Sequence, residues 1–403
     1  YCANNLEYCR HYVSSEVDEA VLREIYLKPF ELAVKAEPYM VMTSYNLVNG
    51  VRMSENARLI EVLRKEFGFD GVIVTDWEAC KDAKKSIEAG TTMIFPFNAE
   101  REKELEEIEK EHSVSEETVD AAARKIVALA ERCESDKKLR KAEKSVEERI
   151  RVAEEIAKEG IVLLKNNGVL PLCKEQNVLF TGAPCKVYYA GEGSSKVVPC
   201  GEYEGLDEEY KKSGGKAFYC RSTYFELMSP WMNRLCGADI PVCCKMAEGA
   251  DVTVICAGNE PGTESEFYDR ERMTLSQVEE QTIKDIAAHS AKTVVVLFAG
   301  APIDMTAWID CVDAVVWGGF GGQCSAKAVA AVLSGGVNPS GRLTETFPLH
   351  LGDVPAEQGY RDSFVIKYSE GLNVGYRYFE RCGKPVLFPF GYGLSYSEFA
   401  YSD

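Results

Sequence analysis

The sequence predicts an α/β protein with two α/β regions joined by charged helices. Short β-branched apolar runs alternate with amphipathic stretches at helical spacing. A heavily charged helical tract separates the first set from the second. The chain of 403 residues, 46% hydrophobic and 27% charged, has enough apolar material for two to three domains.

The elements follow in order. Residues 17–36 place apolar side chains at helical spacing, and 39–45 form a strand that runs into a turn at Asn49-Gly50. Residues 56–67 are an amphipathic helix. Residues 71–76 are a continuous β-branched run, the mark of a strand buried on both faces. A third helix and a short strand over 92–95 complete the region. Residues 100–158 are helical and charged, the pattern of solvated faces with i,i+4 pairs, and Ser115 starts one of these helices. The second region opens near Ala157, with buried strands over 178–180, 252–255, 293–298 and 314–317. A complete (β/α)8 barrel takes about 250 residues, and only about 130 precede the charged helices. Either a smaller sheet or the later part of a barrel satisfies that count.

Lys and Arg total 46 against 64 Asp and Glu, a formal charge of −18. Like-charge repulsion then excludes nucleic acid and an anionic membrane as main partners. The longest apolar run, 293–299, falls well short of a spanning helix. The 15 cysteines are odd in number and lack C-x-x-C spacing, which points to free thiols in a reducing, cytoplasmic compartment. The chain opens on Tyr1 rather than Met, so a missing start is expected. His11, His112, His289 and His350 are too scattered for a metal set, and no phosphate-cradling loop occurs. Neither a metal nor a cofactor is expected.

Three positions carry candidate chemistry. Asp76 ends an apolar strand and precedes Trp77, whose face suits stacking on a sugar ring. Ligands gather at such strand ends, although an ordinary helix N-cap is the plainer reading. Tyr45, in Met42-Thr43-Ser44-Tyr45-Asn46, ends another strand on the same rim, where its phenol can donate to Asp76 and hold it ionised. The acidic stretch 258–270 includes Glu264 and Glu266 on a loop after a buried strand. Clustered carboxylates oppose one another's ionisation, so one can serve as general acid, and an exposed acidic loop is the plainer alternative.

Read together, these segments resemble glycoside hydrolase family 3, the β-glucosidase and β-xylosidase family. The likeness lies in Asn4-Asn5-Leu6-Glu7-Tyr8, residues 23–31, 42–50 and 67–77, then Lys158-Glu159-Gly160 to Asn166, Asn338-Pro339-Ser340-Gly341-Arg342-Leu343, Gly375-Tyr376-Arg377-Tyr378 and 388–396. All of them stand in the family's order. The resemblance implies the C-terminal part of a (β/α)8 TIM-like barrel over 1–130, a helical linker over 131–156 and an α/β sandwich over 157–403. It implies a retaining exo-β-glycosidase acting on an oligosaccharide or an aryl or alkyl β-glycoside, most simply a β-glucosidase. A β-xylosidase or arabinosidase comes second, and a non-catalytic carbohydrate-binding fragment third. It leaves room for a homo-oligomer.

Matching residue by residue, Asp76 is the nucleophile of the family's S/T-D-W motif. Glu266 is the acid/base of its E-G-x-D-R loop, with Glu264 in reserve. Tyr45, Trp77, Met42 and Glu264 bind substrate. Such chemistry needs two carboxyl groups about 5–5.5 Å apart, which docking of the two domains has to create. The chain departs from the family in three ways. Phe267 stands where the loop has Gly, which reaches conformations Phe avoids. Residues 318–324 lack the usual P-G-x-E-G-G. The upstream Lys-His dyad and sugar-gripping strands do not occur, so the chain reads as an internal fragment of little or no activity by itself.

Overall fold

The computed structural model describes residues 1–137, 144–222, 240–259, 262–355, 363–398 and 400. They divide into two compact units, one drawn from 1–143 and 355–374, the other from 144–354 and 375–403.

In the first unit, strands β1 (Ser14–Glu16), β2 (Met40–Thr43), β3 (Leu47–Val48), β4 (Val51–Arg52) and β5 (Val72–Thr75) alternate with helices. The first helical stretch, 19–34, is capped by Asp18, whose side chain accepts the Ala20 N–H, and includes wider π-helical turns over Leu22–Leu27. It buries Val21, Leu22 and Leu27. Asn56 caps the helical stretch 57–66 by accepting the Leu59 N–H at 3.1 Å. β2 and β5 pair in parallel from Met40↔Val72 to Thr43↔Thr75. The Tyr1 backbone extends this order on one side, donating to the Met42 carbonyl and accepting the Ser44 N–H, as a parallel neighbour does. Met93 extends it on the other side through a single bridge to Val74.

The strand expected over 92–95 is thereby reduced to one residue. The Phe95 N–H turns to the Thr75 hydroxyl at 2.9 Å, and Pro96 has no N–H to continue the ladder. Among the described residues no closed barrel forms. The expected turn at Asn49-Gly50 joins β3 to β4, both of its residues at positive φ (50° and 81°), the geometry that matches the twist of a tight hairpin.

A second sheet has the order Val365–Lys367, β1, β3, β4. The sequence boundaries put residues 363–374 in the second domain, whereas the chain returns here to the first unit. The Ser14 N–H donates to Phe364, the Tyr368 N–H donates to Glu16, and the open edge of β1 is paired.

The second unit is a six-stranded sheet flanked by helices. Its strands are β6 (Val162–Asn166), β7 (Asn177–Thr181), β8 (Lys216–Cys220), β9 (Val252–Gly258), β10 (Thr293–Phe298) and β11 (Ala314–Trp317), in the order β6-β11-β10-β9-β7-β8. All pairs are parallel except β6 with β11. Every residue of β9 and β10 is buried, as a strand covered on both faces requires. On one face Phe180, Val254, Val296 and Val316 pack with residues of helices Val146–Gly160, Leu206–Lys212 and Ser325–Leu333. On the other, Leu179, Ile255, Val295 and Leu297 pack with Cys243, Ile283, Ile286 and Trp308. Each fully buried Val, Leu or Ile contributes about 1.5–3 kcal/mol of transfer free energy.

Ser145 and Glu148 close a capping box at the start of Val146–Gly160. Ser115 starts Glu116–Lys137 as expected, its hydroxyl accepting the Thr118 N–H at 3.2 Å. The cysteines among the described residues form no disulfide, and eight of them are buried. Among the described residues no helix is long and apolar enough to cross a membrane.

Candidate active site

Each unit seats candidate carboxylates. In the first, Asp76 follows β5 and extends its ladder by one bond, its N–H donating to the Thr43 carbonyl at 3.1 Å. Its Oδ1 accepts the Tyr45 phenol at 2.8 Å and the Trp77 N–H at 2.7 Å. Two donors on one oxygen fix the carboxylate's direction. The helix-cap alternative is excluded, because the next helix, Ala83–Glu88, is capped by Asp82.

Tyr45 is itself immobilised. It is only 5% exposed, with the Arg10 guanidinium 3.9 Å above its ring and His11 edge-on at 4.6 Å. Arg52 braces both, donating to the Tyr45 carbonyl at 3.0 Å and to the His11 carbonyl at 2.8 Å. Arg10 is anchored in turn by Glu7 at 2.8 Å. Burial, followed by the charges of Lys81, Arg10 and Arg52, pushes the His11 pKa below its usual value.

Trp77 is 61% exposed and lies nearly parallel to Phe95, with ring centroids 6.4 Å apart and planes 12° apart. Met42 is 52% exposed near the end of β2. Tyr45 and Asp76 are therefore brought into contact, while Trp77 and Met42 present open apolar surface. Sequence reasoning missed Arg10, His11, Arg52 and Phe95. The only available signal was Arg10-His11 lying just ahead of β1, and nothing in its spacing singles it out.

In the second unit the acidic stretch follows β9, and its Glu260 and Pro261 lie outside the described residues. It is not the exposed acidic loop of the plainer reading. The Glu264 side chain is only 12% exposed, and it accepts hydrogen bonds from Asn259 Nδ2 (2.9 Å), the Gly300 N–H (3.0 Å) and Arg270 Nη1 (3.4 Å). With donors on both oxygens it anchors the loop. Arg270 also donates to the Pro302 carbonyl at 2.8 Å, so it ties the loop's far end to the chain beyond β10.

Glu266 is seated against another segment, 191–196. Ser265 bridges Glu192 in parallel, with the Glu192 N–H donating to Glu264 at 3.1 Å and the Glu266 N–H donating to Glu192 at 3.4 Å. The Glu266 Oε2 accepts the Ser194 N–H at 2.8 Å. Phe267, where the resemblance led one to expect Gly, takes φ = 79°. The backbone thus follows the path a glycine would take, with a bulky residue in the left-handed region. Neither Ser194 nor Gly193 was legible beforehand, because they sit 72 or more residues from Glu266 in the chain.

Comparison with known proteins places these seats in context. A model described as Glycosyl hydrolase family 3 C-terminal domain matches residues 161–396, and one described as Glycosyl hydrolase family 3 N terminal domain matches 6–129. Thermostable beta-glucosidase B of Acetivibrio thermocellus is 38% identical over 410 residues, covering 100% of this chain and 54% of its own length. The exo-alpha-(1->6)-L-arabinopyranosidase of Bifidobacterium longum is 31% identical, covering 99% of this chain and 54% of its own. Among solved structures, beta-glucosidase 3B from Thermotoga neapolitana in complex with glucose superposes with a TM-score of 0.88 at 32% identity, over 100% of this chain and 61% of that one. A beta-glucosidase from Bifidobacterium adolescentis gives 0.90 at 29%, over 99% and 59%. The chain spans about half the length of the curated relatives it matches. With both family models matched in order along its length, the chain belongs to glycosyl hydrolase family 3.

Proposed function

We propose that this chain carries the catalytic carboxylates of a retaining exo-β-glycosidase that releases terminal non-reducing β-D-glucosyl residues. Asp76 attacks the anomeric carbon, forming a C–O bond as the glycosidic C–O bond breaks. Glu266 delivers its proton to the departing oxygen. It then takes a proton from the water that hydrolyses the glycosyl-enzyme, which frees Asp76. The observation that carries this reading is the oriented carboxylate of Asp76, held by the Tyr45 phenol and the Trp77 N–H at the end of a parallel strand. The exposed faces of Trp77 and Met42 supply apolar contact for the sugar, and Glu264 holds the loop that bears Glu266.

In the same reading the first unit is the C-terminal part of a (β/α)8 barrel. Residues 131–156 form the helical connection, and the second unit is the family's α/β sandwich. The parallel order Tyr1, β2, β5, Met93 supports the barrel assignment.

Relatives named as β-glucosidases favour glucose. The relative named as an arabinopyranosidase supports a second reading, a β-xylosidase or arabinosidase using the same two carboxylates. Hydrolysis of aryl β-glucosides, β-xylosides and α-L-arabinosides by the full-length protein separates the two. Glu266→Ala tests the acid/base. It is expected to lower kcat/KM for glycosides with poor leaving groups by roughly 10²–10⁴-fold and to spare kcat/KM for activated aryl glycosides while lowering their kcat, which azide restores as a β-glycosyl azide forms. Azide rescue in Glu264→Ala instead would move the role two residues upstream.

A further inference from the structure

Within the second unit, the segment that receives Glu266 leaves room for it by omitting a side chain. Gly193 lies against Glu266, and a Cβ built on it would fall 2.5 Å from the Glu266 Cβ and 3.1 Å from its Oε2. Real Cβ atoms do not approach so closely, so Glu266 would have to move. Gly193 also sits at φ = +75°, where side chains are strained in any case. The next residue, Ser194, supplies the N–H that holds Oε2. One residue beyond Glu266, Phe267 adopts φ = 79° although its ring is 57% exposed. Burial of that ring therefore does not account for a conformation that bulky residues avoid. An unfavourable backbone held in place beside a proposed proton donor is what positioning predicts.

We infer that Gly193 and the left-handed bend at Phe267 are positioning elements for the Glu266 carboxylate, one giving it space against the Ser194 N–H and the other turning the loop so that it arrives there. The inference rests on the reading of Glu266 as acid/base. It adds that proton transfer depends on the backbone path of two segments that meet only in the fold.

The test compares four variants of the full-length protein on two substrates, a methyl glycoside, whose departure needs a proton, and a 2,4-dinitrophenyl glycoside, whose departure does not. Gly193→Ala is expected to lower kcat/KM for the methyl glycoside roughly tenfold or more, while the dinitrophenyl glycoside stays within about threefold. Phe267→Ile, which disfavours positive φ at an exposed site, is expected to show the same split. Gly201→Ala is the control. It is also at positive φ (92°), but its Cβ would meet nothing within 4 Å. Phe267→Gly, which accepts the bend, is likewise expected to leave the substrate ratio unchanged. If Gly193→Ala fails to fold, Phe267→Ile, at an exposed position, decides the question. Equal losses on both substrates, or no loss, in Gly193→Ala and Phe267→Ile would overturn the inference. Failure of azide to rescue Glu266→Ala would instead remove the acid/base reading, and the two failures are distinguished by separate assays.

Discussion

Asp76 and Glu266 are seated in different ways. Asp76 prolongs a fully buried parallel strand, and its oxygen is held by a side chain, Tyr45, that is itself clamped by Arg10, His11 and Arg52. Glu266 rides on an irregular loop, and its described contacts include a short parallel bridge, the Ser194 N–H and the bare Cα of Gly193. The first seat is rigid because regular structure and a packed aromatic leave few alternatives. The second depends on unusual dihedrals at particular residues, so it is easier to displace by a small change. The proposed nucleophile, which must meet one carbon, suits the first kind of seat, and the proposed acid/base depends on the exact backbone path of the second.

The largest expected effect breaks the rigid seat at its centre. Asp76→Asn should reduce turnover by roughly 10³-fold or more, and a 2-fluoro-glycoside should label Asp76 in the unmodified enzyme, detected by peptide mass spectrometry. A label on another carboxylate would sink the assignment. Next, Tyr45→Phe removes one charge-assisted hydrogen bond while keeping the ring under Arg10. A loss of about 1.5–3 kcal/mol is expected, about 10- to 150-fold in kcat/KM. An unchanged rate would show that the phenol does not orient Asp76.

Phe267→Gly sharpens the comparison from the other side. Relief of the left-handed strain should raise stability by about 1 kcal/mol, offset in part by the freer unfolded chain, measurable as a higher Tm. The smallest effect concerns the support behind Tyr45. His11 has its pKa lowered chiefly by burial, and its Nδ1 is buried without a hydrogen-bond partner among the described residues. The folded state therefore disfavours the protonated ring. The stability it contributes is complete above the unfolded pKa of about 6.5 and declines as pH falls from there through the lowered folded value. Melting curves between pH 7.5 and 5 should show a shallower decline for His11→Phe than for the unmodified protein. Equal slopes would mean that His11 is not the group responsible.

Much of the first seat was legible in the sequence. The run 72–75 is β-branched because both of its faces are buried, and periodicity reveals such a strand without reference to any partner. Tyr45 and Asp76 each lie just beyond a strand end, so their convergence on one rim followed once β2 and β5 were paired. The short strand over 92–95 misled because its residues have strand propensity, while the Thr75 hydroxyl and Pro96 divert its hydrogen bonds after Met93. Sequence order gives no sign that the open edge of β1 recruits Val365–Lys367.

The sequence by itself determined the α/β class, the strand-end nucleophile candidate and, through its ordered motifs, the family. These are properties of local pattern, in which each residue's type reports its own burial or spacing. Only the tertiary structure decided how the two acidic residues of the loop are held. Glu264 and Glu266 are chemically identical and two residues apart, and they differ in what distant segments bring to them. Glu264 meets the Asn259 amide, the Arg270 guanidinium and the Gly300 N–H, and Glu266 meets the Ser194 N–H beside a glycine. The Ser194 N–H and the missing Cβ of Gly193 carry no side-chain signature for a sequence to display.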